Sequence, residues 1–200
     1  MAERSQITAN EDGRICDMAG GREATTEDLY LIEGKAEIVN GEIVLMTPTG
    51  GLHGYAVVRL VVSLDEYGRR TNHGVAFGAN VGFIVNLPNR RSFSPDVAFW
   101  TGGRLTSKFL DGAPIFAAEV RSVEDYGPVA ERAMADKRAD YFAAGTLVVW
   151  DVDGLDQQVV RVFRSSNPAV PTTYRRGDRA GAEPALPGWS MPVDDLFPPD

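Results

Sequence analysis

The chain has 200 residues, 44% of them hydrophobic and 24% charged, the proportions of one soluble globular domain large enough to bury a core. A net charge of −8 argues against loose, charge-driven attachment to nucleic acid, which needs a basic face. No apolar run reaches the length of a membrane span, and the opening "MAERSQITANEDGR" has no apolar signal core. Cys16, the one cysteine, excludes an internal disulfide and any cysteine-built metal cluster. A cytoplasmic protein with no membrane partner is the expectation.

Residues 1–24 are polar and unpatterned and read as a mobile tail ahead of a single domain over residues 25–200. Thr25 with an acid three residues later, Asp28, marks a short helix start. "AEIVNGEIVLM" is two apolar runs around Asn40-Gly41, a pair suited to the positive φ angles of a tight hairpin. "TPTGG" is a loop. From residue 52 to about 67, Val57, Leu60, Val61, Leu64 and Tyr67 recur at helical spacing.

"GVAF", "NVGFIVNL", "PDVAFW" and "PIFAAEV" read as strands, and "RLTSKFLDG" between the last two as a short helical turn. "GPVAERAMADKRADYFAAG" is a second long helix, with Pro128 near its start and Gly145 just past its end. "TLVVWDVD" is a fully apolar strand; "QQVVRVFRS" and "TTYRR" are edge or hairpin strands. The fold class is α/β (α+β), a mixed sheet flanked by at least two helices.

Several polar residues interrupt these apolar patterns. Glu119 shares a strand face with Ile115 and Ala117, and a lone Glu there is either a wet strand end or a carboxylate with a partner. Asp96, in "SPDVAFW", is a common turn tripeptide residue and a weak signal alone. On the second helix, Ala130, Met134, Lys137, Tyr141 and Ala144 form one stripe, so Lys137 fills an apolar slot. It either snorkels to water or faces carboxylates on the sheet. An Asp and a Glu on neighbouring strands with a lysine above them could hold Mg²⁺ or Mn²⁺ and act on a phosphate. The basic pairs Arg69-Arg70, Arg90-Arg91 and Arg175-Arg176 with Arg179 read as solvated loop ends, the alternative being a local basic patch.

In order, "AEIVNGEIVLMTPTGGLHGYAVVRL", "SPDVAFW", "PIFAAEVRS", "DKRADYFAAGTLVVWDVD" and "LPGWSMPVDDLF" resemble the Uma-type restriction-endonuclease family of the PD-(D/E)XK nuclease superfamily, over residues from about 26 to 197. The resemblance implies a restriction-endonuclease-like core with an N-terminal hairpin. It implies Asp96 and Glu119 as metal ligands, with the Val120 backbone carbonyl as a further one, and Lys137 as a catalytic lysine moved from the strand to the following helix. The position two after Glu119 is Arg121 rather than lysine. Glu37 matches an acidic position that is either a further ligand or a water-orienting base. His53 matches a recurrent histidine, which contacts phosphate or metal or simply caps the helix. One departure stands out: where the family often reads Glu-x-x-Ser-Pro, Ser122 is followed here by Val123.

The function expected is metal-dependent hydrolysis of DNA phosphodiester bonds, with DNA as substrate and a homodimer by analogy. A catalytically silent binding or regulatory module of the same fold is the alternative, which the acidic net charge favours. A carboxylate-based glycoside hydrolase is the third reading, and it gives Lys137 no role.

Overall fold

Asn40 and Gly41 take φ angles of 52° and 75°, the left-handed pair that a two-residue hairpin requires. They join β2 (Ala36–Val39) to β3 (Glu42–Leu45) in antiparallel register, Glu37 opposite Val44. The computed structural model describes residues 14–15 and 22–199. Most of the expected mobile tail therefore lies outside the described residues. Its described parts are engaged: β1 (Arg14–Ile15) pairs with β3, and the Ala24 amide donates to the Gly41 carbonyl at 2.7 Å.

Helix α1 (Thr26–Leu29) starts at a Thr25–Asp28 capping box. Asp28 also takes both terminal nitrogens of Arg22, each at 2.7 Å. Helix α2 (Gly51–Thr71) extends one residue before and four beyond the expected 52–67 and stops where Asn72 turns left-handed at φ 53°. Strands β4 (Val75–Phe77), β5 (Phe83–Ile84), β6 (Ser92–Phe93), β7 (Val97–Trp100), β8 (Leu110–Asp111) and β9 (Phe116–Val120) follow. The helical turn expected at "RLTSKFLDG" is absent. That segment runs out into β8, parallel to β5, with the Leu110 amide on the Gly82 carbonyl and the Gly112 amide on the Ile84 carbonyl.

Helix α3 (Pro128–Ala143) ends as expected. Gly145, at φ 107°, lets its own amide reach the Phe142 carbonyl and that of Thr146 reach Tyr141, a paired closure that favours glycine. The chain closes with β10 (Val148–Asp153), β11 (Val159–Arg164), β12 (Asn167–Arg175), β13 (Arg179–Gly181), β14 (Ser190–Pro192) and a 3₁₀ turn at Val193–Leu196.

The central sheet has the order β12-β11-β10-β9-β7-β4. Only β9 and β10 run parallel; the other neighbours are antiparallel, so the sheet is mixed. Alternation along its strands divides the core in two. Val97, Phe99, Phe116, Ala118, Val120 and Trp150 face α2 and the C-terminal segment, against Leu60, Leu64, Leu186 and Trp189. Ala98, Trp100, Ala117 and Val149 face the other way, against Tyr141 of α3 and against Phe83 and Phe93 of the small β6-β5-β8 sheet. The result is the expected α+β architecture, a mixed sheet with a long helix on each face and an N-terminal hairpin. No described helix is long and apolar enough to cross a membrane.

Candidate active site

One step beyond the last paired residues of β7 and β9, Val97 and Ala118, the antiparallel register sets Asp96 opposite Glu119. Glu119 belongs to the α3 face of the sheet, because its neighbour Ala118 belongs to the α2 face, whereas Asp96 sits at a bend just before β7 and turns its carboxylate to Val120, His53 and Lys35. The Val120 amide seals the pairing by donating to Asp96 Oδ2 at 2.9 Å. The contact Val120 makes with Asp96 is therefore through its N–H.

Lys137 descends from α3 onto this row. Its Nζ lies 2.9 Å from Glu119 Oε1 and 3.0 Å from Glu37 Oε1, so it bridges the sheet and the hairpin instead of snorkelling away. Tyr141, one turn along α3, donates to the same Glu119 oxygen at 2.6 Å. Glu119 Oε2 has no polar partner among the described residues.

Glu37 is held on three sides. Arg90 donates to its Oε2 at 2.6 Å, and the Ser94 amide donates to Oε1 at 2.8 Å beside Lys137. Arg90 also reaches Asp140 of α3 at 2.8 Å. Its guanidinium lies over the Phe93 ring, which stacks on Tyr141. Arg90 is therefore buried within the site and is not the solvated loop end its position in "PNRRS" suggested. The other basic pairs, Arg69-Arg70 and Arg175-Arg176 with Arg179, are exposed.

His53, in the first turn of α2, places Nε2 3.1 Å from Asp96 Oδ2 and Nδ1 3.0 Å from Thr49 Oγ1. Lys35, which the sequence reading passed over, places Nζ 2.7 Å from Asp96 Oδ1. A signal for it existed: Lys35 and Glu37 are two apart at the entry to a strand, and residues so spaced share a face. Arg90 carried no such local signal, because its partners lie 50 and 53 residues away in the chain.

The electrostatics follow from this packing. Burial pushes the Glu37 carboxyl up, but Lys137, Arg90 and the Ser94 amide outweigh it and leave it below its usual range. Burial also works against the Asp96 anion, yet His53 and Lys35 hold its carboxyl well below the usual value. Glu119 goes the other way: burial, with Asp96 and Glu37 adding negative charge, outweighs Lys137 and raises it. Burial alone would lower Lys137, but Glu119 and Glu37 raise it well above its ordinary value. Lys137 is a fixed cation.

Arg121, at the position two after Glu119, is committed elsewhere. It donates from Nε and one terminal nitrogen to Asp151, both at 2.7 Å, and pairs with Glu131 of α3. It cannot serve both that pair and the Asp96–Glu119 row.

The fit to a divalent cation can be tested on the donors present. Among the described residues, no three His, Cys, Asp or Glu side chains are gathered into a ready metal cage. What the row offers is two hard carboxylates on neighbouring strands, with Glu119 Oε2 unpartnered among the described residues and Asp96 Oδ1 carrying a lysine. Such a set suits Mg²⁺ or Mn²⁺, which take one or two carboxylates and keep several waters.

The fold is shared with a solved structure, and the sequence with a known family. A solved structure from Anabaena variabilis, described as a putative nuclease belonging to DUF820, superposes with a TM-score of 0.68. It covers 86% of this chain and 97% of its own, at 17% identity. The Uma2 family, described as "Putative restriction endonuclease", matches residues 26–194, and the chain belongs to that family. No curated protein sequence matches it.

Proposed function

We propose that this protein is a metal-dependent endonuclease of the PD-(D/E)XK type that hydrolyses phosphodiester bonds in DNA. The observation that supports this most is the 2.9 Å contact of Lys137 Nζ with Glu119 Oε1, on the strand next to Asp96. Family membership supports the nuclease class.

Asp96 and Glu119 are the residues that would hold Mg²⁺ or Mn²⁺, with the Val120 carbonyl as a further oxygen. A bound divalent ion supplies charge neutralisation at the phosphate and makes water easier to deprotonate. The chain's own groups do the rest. The Asp96 carboxylate is oriented by the Val120 amide and His53. Lys137, held as a cation by two carboxylates, stabilises negative charge developing on the phosphate and does not act as a base. Glu37, itself fixed by Arg90 and Ser94, aims Lys137 toward Glu119. A cytoplasmic setting and a homodimer that cuts both strands complete the reading.

A glycoside hydrolase built on Asp96 and Glu119 leaves Lys137 and Arg90 without work, so the nuclease reading stands ahead of it. The test is cleavage of plasmid DNA in Mg²⁺ or Mn²⁺, against EDTA and against Glu119→Gln. Metal-dependent nicking abolished by Glu119→Gln is the expected result. Absence of turnover by the parent on duplex, single-stranded and branched DNA would overturn it and leave a silent binding module.

A further inference from the structure

The Asp96 carboxylate is unevenly used. Oδ2 accepts from the Val120 amide at 2.9 Å and faces His53 Nε2 at 3.1 Å, which engages both of its lone pairs. Oδ1 is the oxygen left for a ligand, and Lys35 Nζ sits on it at 2.7 Å. Asp96 is buried and Lys35 only partly so, with 18% of its side chain exposed. Lys137 serves Glu119 and Glu37, so the two carboxylates of the row each carry their own ammonium.

We propose that Lys35 is the resident counter-ion of Asp96, a stand-in cation that a divalent metal must displace from Oδ1, so that Lys35 sets the metal concentration at which the site loads. This rests on the metal-site reading above and adds its regulation. A divalent ion at about 2.0–2.6 Å from Oδ1 would lie only some 4 Å from an ammonium still bonded to the same oxygen, where like charges repel. Lys35 has somewhere to go: it stands at the entry to β2, partly exposed, on a long flexible stem. Lys137 does not, being held between two carboxylates. The two lysines thus have different duties, one removable and one fixed.

The test is Mn²⁺ binding by calorimetry to the parent, Lys35→Met and Lys35→Gln. Removing the competing cation should tighten Mn²⁺ binding about tenfold, equivalent to roughly 1.4 kcal/mol, in either variant. A lysine that merely props the fold would leave affinity unchanged or weaken it, and that result in both variants overturns the proposal. Binding by the variants but not by the parent would be its strongest support. Binding to the parent that disappears in Asp96→Asn reports separately on the metal site, and no binding by any of the proteins removes both readings. Crystals of the parent loaded with Mn²⁺ give an answer that needs no variant. Lys35 Nζ should have left hydrogen-bond reach of Oδ1, and a retained contact beside bound Mn²⁺ would contradict the proposal.

Discussion

Lys137 meets Glu119 and Glu37 at nearly equal distances, 2.9 and 3.0 Å, and this double contact defines its chemistry. A cation clamped in that way contributes charge at a fixed point. Lys137→Met, which keeps most of the stem, should lower DNA cleavage about a hundred- to a thousandfold while leaving Mn²⁺ affinity within a few-fold of the parent. Single-turnover cleavage and calorimetry on the same preparation check this. Unchanged cleavage would make Lys137 a packing residue. Lys137 was legible in the sequence because a charge interrupted an apolar stripe, and Glu119 because it stood alone in an apolar strand. Lys35 and Arg90 were not legible in that way. Each lies in a polar turn or strand entry where a basic residue is ordinary, and only tertiary packing brings Arg90 to partners 50 and 53 positions away.

At the scale of elements, the site depends on how the β9–α3 connection is locked. Val123, where the family often has proline, is largely exposed. The turn is closed instead by Asp125, whose Oδ2 accepts from both the amide and the hydroxyl of Ser122. Arg121 then ties the strand end to Asp151 of β10 and to Glu131 of α3. Arg121 and Asp151 are both buried, whereas the Glu131 side chain is 53% exposed. Asp151→Ala leaves the buried guanidinium with only the half-exposed Glu131 and should cost about 3 kcal/mol; Glu131→Ala, which leaves the buried pair whole, should cost no more than about 1 kcal/mol. Urea unfolding measures both, and equal losses would refute this division of labour.

Helix α1 carries the pH-sensitive contact of the described N-terminal region. Arg22, followed by the Thr25 amide and hydroxyl, holds Asp28 well below its ordinary 3.8. A depressed carboxylate stabilises the fold above its unfolded pKa and loses that contribution as pH falls toward its folded one. Stability should therefore begin to drop below about pH 4 through this group, and Asp28→Asn should flatten that part of the profile. An unaltered acid limb in thermal unfolding of Asp28→Asn would show that the contact has no such role. The hairpin was readable from Asn40-Gly41 because two positive φ angles narrow the choice of residues. The run to β8 was not, since its direction is set by pairing with the Gly82–Ile84 backbone, which leaves no mark in "RLTSKFLDG".

For the whole molecule, the sheet, α3 and the hairpin meet at one row of charges, so metal binding and stability should be linked. An ion that binds only the native state stabilises it by about 2.7 kcal/mol at a hundredfold excess over its dissociation constant. The thermal midpoint should therefore rise in saturating Mg²⁺ or Mn²⁺, and Asp96→Asn should remove most of the rise. The alternation of apolar strands and two patterned helices made the mixed sheet and its two faces readable. The docking of the hairpin against residues 89–92, which carries Glu37 to Lys137, depends on long-range backbone bonds such as Arg91 to Ile38 and was not. An anomalous difference map from crystals soaked in Mn²⁺ would show directly whether Asp96 and Glu119 hold a metal. The expected result is a peak within coordinating distance of both Asp96 and Glu119, with Lys137 still on Glu119. A fully soaked crystal with no peak there, or with its Mn²⁺ bound only elsewhere, would contradict it.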